Sequence, residues 1–383
     1  LISAGLLLRT LNRLEGVDLG FNRQNILLFT VRPGLNGYKG ARLDEYYLEM
    51  QRRLQRLPGV QAVSFSDRNA IGAGMGITGG EIPGYVKRAD IHRHIVGPGY
   101  FETLGIPIRL GRALGAGDTL GSPLVLVVNQ RLVDKYMHGE NPLGRQIVLG
   151  GRKKPVTYEI VGVVNDVKYA RIRDDVPPTA YFPHAQISAV FSSDLADMNG
   201  FFWPFMTFAI KSQQAGTGPL VAAVRREAAA LDKNVPLVDI KTESQVVDQV
   251  LFLERTFASL SSTFSFLALM LACVGLYGTM AYVVARRTSE IGIRMALGAG
   301  RGAILGMVLR ETAVVVLAGL ALGLPAAWAT TGLLKARLFG LGPHDPVSIA
   351  MAIAATLAVT AVAGYVPARR ASKVDPMVAL RYE

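Results

Sequence analysis

Arg286-Arg287-Thr288-Ser289-Glu290-Ile291-Gly292-Ile293-Arg294-Met295-Ala296-Leu297-Gly298-Ala299 is a short charged stretch set between two long apolar runs, Phe257 to Ala285 and Thr312 to Leu334. Its spacing predicts a helix lying at a membrane surface. Thr288 or Ser289 suits the N-cap, Glu290 the positive end of the helix dipole, and Gly298 the stop. Ile291 and Met295, four residues apart, share one face. A soluble partner could grip such a helix.

A third apolar run spans Val347 to Val366, and each of the three reaches the roughly 20 residues that a bilayer requires. The segment between the first two runs carries Arg286, Arg287, Arg294, Arg301 and Arg310 against Glu290 and Glu311. The tail carries Arg369, Arg370, Lys373 and Arg381 against Asp375 and Glu383. The positive-inside rule places both in the cytoplasm, and Lys335 to Pro346 on the other side. Leu1 to Leu8 is too short to span a bilayer. Residues 1–14 read as the end of a truncated transmembrane helix, the first of four. A soluble domain would then occupy 20–243, and a stalk with three transmembrane helices and the cytoplasmic segment 244–383.

The run R-R-T-S-E-I-G-I-R-M-A-L-G-A resembles the coupling segment of FtsX-like and MacB-like ABC transporter permeases. The resemblance implies that Thr288, Ser289, Glu290, Ile291, Ile293, Arg294, Met295 and Leu297 meet a separate ABC ATPase subunit. ATP then acts through that partner and no cofactor is bound by this chain. Gly99-Tyr100-Phe101-Glu102-Thr103-Leu104-Gly105-Ile106-Pro107, Gly111-Arg112 and Tyr181-Phe182-Pro183 are similar to the MacB-like periplasmic core domain, and Val366 to Glu383 to the end of this permease family. The pattern also resembles the C-terminal half of duplicated orphan permeases of acidobacteria. That would make a preceding half the source of the missing helix and a pseudo-dimer partner. The resemblance implies an inner-membrane, multi-pass protein with a large periplasmic domain.

Composition fits this plan. Half of the 383 residues are apolar, enough to fill a core and still leave segments for lipid. The net charge of +12 does not indicate nucleic acid. From Glu254 onward twelve Lys and Arg face six Asp and Glu, clustered at the ends of apolar runs, and the remaining 29 basic and 23 acidic side chains make a mixed surface. The lone Cys273 lies in an apolar run, so no intrachain disulfide can form.

Within the soluble part, Ile26 to Val31 and Val60 to Phe65 read as strands, and Tyr38 to Leu57 as a helix with Leu43, Tyr46 or Tyr47, Met50 and Leu54 inward. Leu124 to Asn129, Tyr158 to Val167, Met206 to Ile210 and Val235 to Ile240 read as further strands, and Pro219 to Leu231 as a helix. The expected class is an α+β extracytoplasmic domain on a stalk, joined to an α-helical bundle. Gly74, Gly76 and Gly79 match G-x-G-x-x-G, but Pro83-Gly84 follows where a phosphate-binding helix should begin, so a surface loop is expected. His92 and His94 read as solvated strand histidines, with no third ligand cluster to make a metal site. Ile187 to Pro204 is aromatic and poor in charge. Phe201, Phe202 and Trp203 there, with Phe205 just beyond, could meet substrate, membrane or a partner protein.

Ser244 to Ala285 has no breaker and would form one rod of roughly 60 Å. Gly319 and Gly323 form G-x-x-x-G for helix packing, within the chain or at a dimer seam, and Pro325 predicts a kink. G-x-x-x-x-G-K-[ST], H-E-x-x-H and G-x-S-x-G are absent, so the expectation is a non-enzymatic permease subunit that drives efflux or export by mechanical transmission. Its partners would be an ABC ATPase, a second permease half or protomer, membrane lipid, and a periplasmic adaptor or envelope protein, without nucleic acid. The alternatives are an FtsX-like regulator of an envelope protein and a membrane-anchored binding module.

Overall fold

The computed structural model describes residues 1–68, 76–149, 155–169, 172–186, 205–297, 300–332, 338–342 and 344–371. Its contacts divide it into two units, Val17–Leu251 and Leu1–Gly16 with Phe252–Glu383. The described helices are α1 (Ile2–Glu15), α2 (Ala41–Gln55), α3 (Tyr100–Leu104), α4 (Gln130–Tyr136), α5 (Gly218–Leu231), α6 (Glu243–Val250), α7 (Phe252–Arg286), α8 (Thr288–Ala296), α9 (Arg301–Thr331) and α10 (Pro346–Ala371). The described strands are β1 (Ile26–Val31), β2 (Val60–Ser66), β3 (Gly76–Ile82), β4 (Val86–Val96), β5 (Ile108–Gly111), β6 (Val125–Asn129), β7 (Gln146–Leu149), β8 (Val156–Val164), β9 (Thr179–Pro183), β10 (Met206–Ser212) and β11 (Leu237–Thr242).

The strand-bearing unit has two parts. In the first, β11, β1, β10 and β2 lie side by side, all antiparallel. The apolar run of β1 is buried at every position, as a strand covered on both faces must be. Leu27, Phe29 and Val31 join Tyr46, Tyr47, Met50 and Leu54 of α2 and Leu220, Val224 and Ala228 of α5 in one core. Phe29 stacks on Phe208 with ring centroids 5.4 Å apart. Helices α3 and α6 pack against the same four strands.

In the second part the pairing closes on itself, from β4 through β3, β7, β8, β6 and β9 back to β4. The two parts join where Ser66 of β2 pairs with Val96 of β4. This ring corrects two expectations. Gly76 and Gly79 belong to β3 rather than to a loop, because β4 and β7 pair with that strand, and Gly74 lies outside the described residues. His94 is fully buried, not solvated, because β4 is flanked by strands and its alternation gives way to continuous burial from Arg93 to Val96. Among the described residues, no three His, Cys, Asp or Glu side chains group as metal ligands.

The helical unit holds three helices long and apolar enough to cross a membrane, Phe252–Arg286, Gly302–Thr331 and Pro346–Pro367. Helix α10 packs against α7, α9 and α1, and α7 also packs against α1. The approach of α9 to α10 is tight at Gly364, where a Cβ would lie 2.9 Å from Thr312 Cγ2. Helix α9 runs through Pro325 without interruption.

The expected continuous rod is interrupted once. Leu251, with φ −89° and ψ 0°, ends α6 before α7 begins at Phe252. The burial pattern supplies the reason. Val246, Val247 and Leu251 are buried, whereas Phe252 and Leu253 are exposed, so the apolar face changes at that residue. The chain continues unbroken through Ser259 to Arg286.

Candidate functional site

The stretch that organises the sequence folds as α8, and its two sides differ. Ile291 is 1% exposed and packs on Ile304 of α9, with Val284, Met295 and Met307 completing the cluster. Burying one such side chain contributes about 2 kcal/mol. On the other side Glu290, Ile293, Arg294 and Leu297 are exposed at i, i+3, i+4 and i+7, one face of a helix. Leu297 is 83% exposed and Ile293 47%. Arg294 Nη2 donates to Glu290 Oε1 at 2.6 Å. An exposed pair of this kind is worth only about 0.3–0.5 kcal/mol, so it can open toward another protein at little cost.

The cap differs from expectation. Thr288 Oγ1 donates back to the carbonyls of Val284 and Ala285, at 3.1 and 2.8 Å, and Arg287 occupies the N-cap position without capping the helix through its side chain. Thr288 is thus the first residue of α8 rather than its cap, and its hydroxyl is turned back to the carbonyls at the end of α7. The Ser289 side chain and Gly298 lie outside the described residues. Arg287, expected only as one of the charges that keep this segment in the cytoplasm, pairs with Glu311 of α9 and ties the start of α8 to that helix. Thus Ile291 and Met295 anchor the segment, and Glu290, Ile293, Arg294 and Leu297 present it.

The packing glycines are also placed differently. Gly319 and Gly323 are exposed, and a Cβ on either would meet nothing within 4 Å among the described residues. The close approach of α9 to its neighbour goes through Thr312 and Gly364 instead, nearer the start of α9. Pro325 is exposed as well. A groove of about 380 Å³, lined by residues of α1, α7, α9 and α10, includes Gly323.

In the strand-bearing unit, Phe201, Phe202 and Trp203 lie outside the described residues. Phe205 is 39% exposed, with Arg32 over its ring at 5.8 Å, and nearby in the chain after β1 Leu35 is 73% exposed. Both lie beside the end of the β1–β10 pair where Val31 meets Met206, away from Ile26.

The MacB-like periplasmic core domain matches residues 14–239, and the FtsX-like permease C-terminal family matches residues 262–376. The chain belongs to the MacB/FtsX-type ABC transporter permeases. This permease is 27% identical over 293 residues to "Macrolide export ATP-binding/permease protein MacB" of Neisseria gonorrhoeae, across 74% of this chain and 42% of the relative. It therefore spans less than half the length of that relative. It is 23% identical over 371 residues to "Uncharacterized ABC transporter permease YknZ" of Bacillus subtilis, across 90% of this chain and 86% of the relative. The crystal structure of the periplasmic region of MacB from Actinobacillus actinomycetemcomitans aligns with 62% of this chain and 97% of its own, at 15% identity and a TM-score of 0.41. The permease is an inner-membrane protein with a large periplasmic domain, and permeases of this family work with an ABC ATPase.

Proposed function

We propose that this chain is the permease subunit of a MacB/FtsX-type transporter, coupling ATP hydrolysis in a separate ATPase to movement of its periplasmic domain for efflux or export. The observation that carries this reading is the two-sided α8, anchored by Ile291 and displaying Glu290, Ile293, Arg294 and Leu297. A docked ATPase that displaces α8 would pull on α7 and α9, to which Arg287 and Ile291 fasten it. Helix α7 continues by chain connection into α6 and the periplasmic domain. In this reading the chain binds no cofactor and catalyses no reaction, and ATP stays with the partner. A second permease half, as in the duplicated acidobacterial proteins, or a second protomer would complete the assembly, with bilayer lipid around it and a periplasmic adaptor or envelope protein above. Macrolides, named for the Neisseria relative, are the first substrates to test.

The test is ATP turnover of the candidate ATPase reconstituted with the complete protein, comparing wild type with Glu290→Ala and Arg294→Ala. Stimulation that is lost in the variants supports coupling, and absence of both association and effect contradicts it. Exposed Leu35 and Phe205 favour a second reading, an FtsX-like regulator that holds an envelope protein there. Capture of one defined envelope enzyme, abolished by Phe205→Ser, would support it.

A further inference from the structure

Glu243 is the first residue of α6, and it is fully buried. Neither of its carboxylate oxygens has a hydrogen-bond partner among the described residues. An acid at a helix start ordinarily faces water, where the helix dipole favours its charge. Here the surroundings hold a buried polar chain instead. His94 Nε2 and the Tyr100 hydroxyl are 2.9 Å apart, the Tyr169 and Tyr181 hydroxyls are 2.8 Å apart, and the His94 and Tyr169 rings lie 4.8 Å from each other. Asp67 Oδ1 lies 3.0 Å from His94 Nδ1, out of line for a hydrogen bond, and accepts from the Ile95 N–H. Glu243 lies close enough to Tyr100 for its charge to act on that hydroxyl.

Among the described residues no positive charge answers the carboxylate. Strand β1, against which α6 packs, has no ionisable side chain. On β11, Lys241 Nζ turns to Gln249 Oε1 at 3.3 Å and to Asp239 at 3.7 Å. Arg23, whose carbonyl accepts from Ser244 Oγ, is itself exposed, as is Glu102 of α3. The helix start is otherwise well made. Thr242 and Gln245 form a reciprocal capping box, which fixes the first turn and therefore the place of Glu243.

We propose that Glu243 is a proton-operated latch at the point where the chain leaves the periplasmic domain: neutral, it stays buried beneath α6; charged, it must reach water, and the first turn of α6 moves with it. A carboxylate buried without a hydrogen-bond or charge partner is far costlier than a neutral carboxyl. Burial accordingly raises the Glu243 carboxyl from 4.5 to about 8. The latch thus makes movement of α6 release a proton, and an acidic periplasm holds α6 down. This goes beyond the transport reading and rests on it only in taking α6 as a part that moves.

The experiment is amide hydrogen exchange of the complete protein in lipid nanodiscs without any ATPase, corrected for intrinsic rates. A failed latch is then distinguishable from a failed coupling to the ATPase. With a closed-state value of about 8 against 4.5 when open, opening of α6 in the wild type rises about tenfold per pH unit between these values and levels off above. In Glu243→Gln the same amides are expected to open independently of pH, while those of β1 and β10 are unaffected in both proteins. A flat wild-type profile, or the same slope in both, overturns the proposal. Should Glu243→Gln fail to fold, infrared titration of the wild type decides, since a carboxyl band titrating near 8 is expected and its absence would equally overturn the latch.

Discussion

Ile291 and Leu297 are both apolar residues of one short helix, yet they make opposite predictions because one is 1% and the other 83% exposed. Ile291→Ala removes the anchor on Ile304 and is expected to destabilise the bundle by about 2 kcal/mol, read as a lower thermal midpoint in detergent. Leu297→Ala should leave that midpoint unchanged. Gly364→Ala forces a Cβ against Thr312, whose hydroxyl is held by the Val308 carbonyl at 3.0 Å, and should cost about 1–3 kcal/mol in the same assay. Gly319→Ala, with open space around it, should stay within about 0.5 kcal/mol in the isolated chain. A loss of association between two copies in that variant would assign Gly319 to a seam. At this scale the sequence was legible only in part. Helical spacing put Ile291 and Met295 on one face, but spacing cannot say which face meets a neighbour. The G-x-x-x-G pattern marked a face where helices can approach, and the neighbour had settled on Gly364 instead. Nothing in local pattern identified Glu243, because an acid at a helix start is ordinary until the surrounding fold is seen to bury it.

At the scale of elements, long periodic or apolar segments were read well. Strand β1 has the limits expected, and α2, α5, α7, α9 and α10 form where their apolar residues recur. The ring of β3, β4, β6, β7, β8 and β9 was not foreseen, since it depends on pairing partners far apart in the chain. Among them are the parallel contact of β4 with β9 and the short strand β7. Glycines in β3 imitate a loop when read locally and become a strand only between two neighbours. The continuous rod failed at Leu251 because burial against the domain outweighs helix propensity there. Thr242→Ala breaks the capping box of α6 and is expected to cost about 1 kcal/mol, seen as faster amide exchange confined to residues 243–251.

For the whole molecule, the latch and the coupling face make separable statements. A carboxyl held neutral in the folded state contributes stability fully present below 4.5 and lost as pH rises toward about 8. The midpoint of the complete protein should therefore fall across that window, less so in Glu243→Gln. Coupling to the ATPase belongs to the exposed face of α8. It is tested most directly by ATP turnover of the partner ATPase reconstituted with the complete protein carrying Leu297→Asp, beside a thermal midpoint on the same sample. At least about a tenfold loss of stimulation is expected, equivalent to about 1.4 kcal/mol of docking, with the midpoint unchanged. Undiminished stimulation in that variant would contradict it.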